Sequence, residues 1–157
     1  MKIGMRIPGK LASLGTAGLV EWAKSIGLDS IDLPRPDKEL KEAMDAAGLI
    51  AGSVDIRGVG DSLSKDDTKR EQGVSSMKAD MDEAAALGLK TIFVCLIPSN
   101  PTTPRRETFD IFVETYPDIV AHAESLGLSL AMEPYPGPAP HYPTIGCTPE
   151  MYRAMFE

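Results

Sequence analysis

Charged side chains stand near the ends of several short apolar runs in this sequence. Asp32 lies in Ser30-Ile31-Asp32-Leu33, Asp55 in Ser53-Val54-Asp55-Ile56, and Glu133 follows Leu130-Ala131-Met132. Arg6 and Arg57 occupy comparable places in the first and third runs. Acids and guanidinium groups gathered at one end of a sheet can line a polar pocket floor and bind the hydroxyls of a small ligand. The same groups can instead pair across neighbouring strands as satisfied structural charges, and the spacing leaves both readings open. Glu133 can likewise cap a neighbouring loop or pair with an arginine.

The other reactive residues carry weaker signals. His141, in Pro140-His141-Tyr142-Pro143, sits in a long loop after Glu133, where it can contact a ligand or simply be solvated. His122 falls on the polar side of a helical pattern and reads as surface. Cys95 reads as an inert thiol within an apolar strand. Cys147 precedes a helix start, which can lower a thiol pKa, but no base is visible near it in sequence. No GxGxxG, P-loop or HExxH pattern is present.

The elements that must position these groups follow a repeat. Helix-like stretches end in Gly27-Leu28, Gly48-Leu49, Gly88-Leu89 and Gly127-Leu128, and each is followed at once by an apolar run. A glycine there fits the left-handed position that closes a helix. With an opening strand at Lys2–Ile7, the four joints predict five strands. The intervening segments have helical periodicity: Leu40, Ala43, Met44 and Ala47 in one, and Phe112, Tyr116, Ile119 and Ala123 in another. Pro117 is expected to kink or reset the fourth helix. Trp22 reads as packing. Thr148-Pro149-Glu150 opens a further helix with a capping hydroxyl, and Met151, Tyr152, Met155 and Phe156 begin its apolar face. The chain stops at Glu157 without a closing glycine, which reads as truncation.

Alternating strands and helices predict an α/β domain, residues 1–157, with a parallel sheet. Helix-to-strand turns are short, and strand-to-helix loops are longer and rich in Pro and Gly. Functional groups are therefore expected at the carboxyl ends of the strands. Two architectures fit: a five-stranded flavodoxin-like sheet, or the first five units of a (β/α)8 barrel, which takes roughly 250 residues when complete.

Composition narrows the partners. The 157 residues are 43% hydrophobic and 25% charged, with a formal net charge of -7. That field disfavours nucleic acid without excluding a small anion. Two cysteines, not in a CxxC pair, suit a reduced cytoplasmic chain. The start is too short and interrupted for a signal peptide, and no apolar run approaches the roughly 20 residues of a membrane span.

The stretch Ile119-Val120-Ala121-His122-Ala123-Glu124-Ser125-Leu126-Gly127-Leu128-Ser129-Leu130-Ala131-Met132-Glu133-Pro134 resembles the approach to and passage through strand five of the xylose isomerase-like TIM barrels. Met1–Met5 and Ala23–Leu33 also resemble that superfamily's first strand and first helix–strand joint. The resemblance implies a truncated (β/α)8 barrel of the metal-dependent sugar or sugar-phosphate isomerase and epimerase type. It makes Glu133 the first ligand of a divalent metal (Mn²⁺, Mg²⁺, Co²⁺ or Zn²⁺) and an acid–base group. The remaining ligands would come from strands six to eight, so the chain alone is expected to be inactive and prone to self-association through its open edges. Some relatives place a histidine near the end of strand three, where this sequence has Asp55. A dehydratase or AP endonuclease-like member of the superfamily and a non-catalytic five-stranded ligand-binding domain are the alternatives. The endonuclease branch uses several early histidines that are not in this chain.

Overall fold

The computed structural model describes residues 1–140 and 142–157, and for Ala12 the backbone alone. Its elements alternate: β1 (Gly4–Arg6), α1 (Gly15–Ser25), β2 (Ser30–Leu33), α2 (Lys38–Ala46), β3 (Ile50–Asp55), α3 (Asp67–Ala86), β4 (Thr91–Val94), α4 (Arg105–Ser125), β5 (Ser129–Met132) and α5 (Pro149–Phe156). Short 3-10 turns at Gly9–Leu14 and Asp61–Leu63 lie in the loops after β1 and β3.

The helix ends follow from the glycine repeat. Gly88 has φ 73°, and the next amide, Leu89 N–H, reaches back to the Ala84 carbonyl at 3.0 Å. This is a Schellman closure. Leu28 to Ala23, Leu49 to Met44 and Leu128 to Ala123 repeat the same bond at 3.0, 2.9 and 2.9 Å. Leu49, Leu89 and Leu128 are buried by it, so each helix exit feeds directly into the next strand. Three helix starts are capped by side chains: Asp37 accepts from Leu40 N–H, Asp66 from Lys69 N–H and Thr148 from Met151 N–H. α4 runs unbroken through Pro117, against the expectation of a reset there. Phe112, Tyr116, Ile119 and Ala123 are buried on both sides of that proline, and this packing holds the helix together.

The strands form one sheet in the order β1-β2-β3-β4-β5, and all four pairings are parallel. A flavodoxin-like sheet would place β1 between β2 and β3. The sequential order excludes that architecture and is the order of a (β/α)8 barrel.

Side chains alternate across the strands. Ile31, Leu33, Val54, Ile92 and Val94 point to the helix side and are fully or almost fully buried against residues such as Met44, Met77, Met81 and Ile119. The register places the other set on the inner face: Gly4 and Arg6, Ser30 and Asp32, Ser53 and Asp55, Thr91 and Phe93, Ser129 and Ala131. Small and hydroxylated residues fill the amino-terminal layer of that face, and Arg6, Asp32, Asp55 and Phe93 stand with Ala131 in the layer above it. No described helix is long and apolar enough to cross a membrane.

Candidate active site at the carboxyl ends of the strands

Glu133 sits at the tip of β5. Its N–H donates to the Val94 carbonyl at 2.9 Å, so strand pairing runs one residue past Met132 and sets Glu133 opposite Cys95. By alternation it shares the inner face with Ser129 and Ala131. The Cys95 thiol is pushed up to about 12 by burial, then by its hydrogen bond to Glu133 and the charge of that carboxylate, against an opposing pull from Arg6. Cys95 therefore stays a neutral thiol beside Glu133 at neutral pH, with Arg6 also within electrostatic reach of it. Glu133 is exposed because nothing in the described chain covers the inner face there.

Arg6 and Asp55 are brought together across β2. Arg6 Nη1 donates to Asp55 Oδ1 at 2.8 Å, and Nη2 donates to Oδ2. This is a fork-on-carboxylate pair. The guanidinium also lies over the Phe93 ring, 4.5 Å from its centroid. Asp32 has a different partner. The register shifts between β2 and β3, so that Ile31 faces Ala51 and Leu33 faces Val54. The Ser53 N–H at this bulge is taken by Asp32 Oδ1 at 2.7 Å. Gly52 makes room for it, since a Cβ there would lie 2.2 Å from that oxygen. Arg6, Ile7, Asp32, Leu33, Pro34 and Asp55 line a hollow of about 210 Å³. His141 lies outside the described residues.

Several groups differ from their sequence reading. Arg57 lies just past β3 and turns to the helix side. There its backbone N–H donates to Asp80 Oδ2 at 2.7 Å and its guanidinium also grips that carboxylate. Asp80, on α3, is only 2% exposed. Burial pushes its carboxyl up, but the Arg57 hydrogen bonds and charge together hold it below the ordinary range. This clamp fixes the start of the loop after β3. A bond from Ser99 N–H to the Gly60 carbonyl, 2.9 Å, ties that loop to the one after β4. Tyr152, on α5, donates its hydroxyl to the Met132 carbonyl at 3.2 Å and so braces the residue before Glu133. Burial raises its phenol pKa, with Cys95, Cys147 and Glu133 adding to the shift. His122 keeps its surface reading, with Nε2 3.0 Å from Asp82 Oδ1 between α3 and α4. Sequence gave no sign of the Cys95, Phe93 and Tyr152 contacts, because each depends on which strand lies beside which.

A divalent ion needs several donors in fixed geometry. Among the described residues no three His, Cys, Asp or Glu side chains converge to hold one. Glu133 offers one hard oxygen donor beside a thiol that stays protonated, Asp55 is occupied by Arg6, and Asp32 by Ser53. The described residues do not fit a metal centre by themselves.

The chain belongs to the xylose isomerase-like TIM barrel family, whose sequence profile matches residues 20–157. No curated protein matches it by sequence. Among solved structures it is similar to an L-ribulose 3-epimerase, with a TM-score of 0.75 and 17% identity, over 99% of this chain and 56% of that one. It is similar to a D-allulose 3-epimerase from Methylomonas sp. solved with D-allulose, with a TM-score of 0.74 and 19% identity, over 99% and 58%. An IolI protein with a bound zinc atom gives 0.73 and 16%, over 100% and 60%. The chain thus spans between 56% and 60% of the length of each, and at these identities the likeness establishes the fold.

Proposed function

We propose that this chain supplies the first five βα units of a metal-dependent sugar or sugar-phosphate isomerase or epimerase, with Glu133 as its acid–base group and its one contribution to the metal. The observation that carries this reading is the state of the three inward carboxylates. Both Asp55 oxygens take the Arg6 fork and Asp32 Oδ1 takes the Ser53 N–H, whereas among described residues Glu133 has the neutral Cys95 thiol beside it and no cation on its oxygens. Isomerising or epimerising a sugar requires removing a proton from the carbon beside a carbonyl and returning it elsewhere. A carboxylate with available lone pairs, on a strand tip braced by Tyr152, is equipped to accept and return that proton. Both the fold and the epimerase neighbours support the reading. When bound, the metal would polarise the carbonyl and stabilise the developing negative charge. Its remaining ligands would belong to further strands.

In a barrel completed by three further βα units of an epimerase, Glu133→Gln should abolish turnover of a ketohexose and weaken Mn²⁺ binding, with little change in melting temperature. Undiminished turnover in that variant rejects the assignment. The 157-residue chain alone should turn over nothing and should self-associate through the open edges of β1 and β5, which sedimentation at two protein concentrations reads.

A further inference from the structure

We propose that the Arg6–Asp55 pair on its Phe93 platform is a subsite for the uncharged, hydroxylated end of a substrate, and that it discriminates against phosphate. This inference rests on reading the strand ends as a sugar site and narrows it from sugars and sugar phosphates to neutral sugars.

An arginine at a strand end is ordinarily the group that would bind a phosphate, and it does so by presenting its fork to two anionic oxygens. Here Asp55 already fills that fork, with Nη1 to Oδ1 at 2.8 Å and Nη2 to Oδ2. The face of the guanidinium is held over Phe93, 4.5 Å from the ring centroid, so the plane cannot swing freely to another anion. The pair is neutral overall. Its remaining N–H groups donate and its carboxylate lone pairs accept, which is the pattern a pair of neighbouring hydroxyls needs.

The surrounding charge reinforces this. The hollow beside Arg6 is also lined by Asp32, and the Glu133 carboxylate and Arg6 both act on the Cys95 thiol. One cation against Asp32, Asp55 and Glu133 leaves a formal excess of two negative charges (1 − 3 = −2) on this part of the inner face, within a chain of net charge -7. A phosphate dianion would enter against that field, whereas a hydroxylated carbon chain would not.

The test uses the chain itself and follows the Arg6 Nε–H resonance by NMR, identified as the signal lost in Arg6→Gln. D-allulose should shift it in the wild-type protein. Inorganic phosphate should shift it no more than sodium chloride at matched ionic strength. Asp55→Asn removes the resident anion, and phosphate should then bind at Arg6 about tenfold more tightly than in wild type. Phosphate that shifts the wild-type signal as strongly as in Asp55→Asn overturns the proposal, as does D-allulose leaving it unmoved. Should Asp55→Asn not fold, the wild-type comparison of sugar with phosphate decides alone. The Glu133→Gln turnover experiment reads the epimerase assignment separately. Loss of turnover there together with phosphate binding at wild-type Arg6 rejects this subsite and leaves that assignment standing.

Discussion

Replacing Glu133 or Arg6 should move the reactivity of Cys95 in opposite directions. The reporter is the chain with Cys147→Ser, which leaves a single thiol. Burial comes first in raising the Cys95 thiol to about 12, followed by its hydrogen bond to Glu133 and the Glu133 charge, with Arg6 pulling the other way. At pH 8 a thiol with that value is ionised about once in ten thousand molecules, against roughly one in four for a free thiol near 8.5, a deficit of about two thousandfold. A more basic thiolate is also a better nucleophile, and a Brønsted slope of about 0.45 over this interval returns roughly fortyfold. Cys95 should therefore attack an aromatic disulfide reagent about fiftyfold more slowly than a model thiol. Glu133→Gln removes the neighbouring negative charge, favours the thiolate and should speed the reaction several-fold. Arg6→Gln removes the favourable cation and leaves Asp55 uncompensated, so it should slow the reaction. Stopped-flow absorbance reads both. If the two variants shift the rate in the same direction, or neither shifts it, then Glu133, Cys95 and Arg6 do not share one face and the site described here is wrong.

Asp80→Ala should cost about 2 kcal/mol in urea unfolding, because it leaves the Arg57 N–H and guanidinium without their acceptor and empties a buried position, and Asp80→Asn should cost less because the amide oxygen can still accept from that N–H. The folded Asp80 carboxyl lies below its ordinary value, so its stabilisation is complete above the unfolded carboxyl pKa near 3.9 and fades as pH falls below it. The gap between wild type and Asp80→Asn should shrink accordingly in melts below about pH 4. Gly52→Ala places a Cβ 2.2 Å from Asp32 Oδ1 and should displace that carboxylate from Ser53 N–H, costing about 1–3 kcal/mol and speeding hydrogen exchange at Ser53. Ile92→Ala empties a fully buried position in β4 and should cost about 2–5 kcal/mol in the same unfolding assay.

The helix-to-strand joints were legible because they are local: Gly88 and Leu89 need only their own helix to declare the closure. The capped start at Thr148 was legible for the same reason. Arg6, Asp32, Asp55 and Glu133 could be recognised as strand-end charges, and the structure does place them on one face. Their partners could not be read, because pairing runs between strands. Arg6 reaches over β2 to Asp55, and Asp32 spends its carboxylate on a backbone N–H that exists only because of a bulge. Arg57 looked like a companion to Arg6, yet it lies past the end of β3 and turns to the opposite side. Nothing local marks Asp80 as buried against an arginine 23 residues earlier. In sequence Cys95 is an apolar-strand thiol with no partner in view. Its alternation to the inner face, opposite Glu133, appears only once the β4–β5 register is known.

The succession of strands, each lying against the one made just before it, has a consequence for how the molecule is made. In a chain emerging from the ribosome, the strand that each new strand pairs with has already been synthesised. β2 adds to β1, β3 to β2, and so on, with one intervening helix covering each seam. Among these five strands each pairing joins neighbours in sequence, which keeps the loop closures within the sheet short. Order of synthesis and spatial order coincide in this sheet.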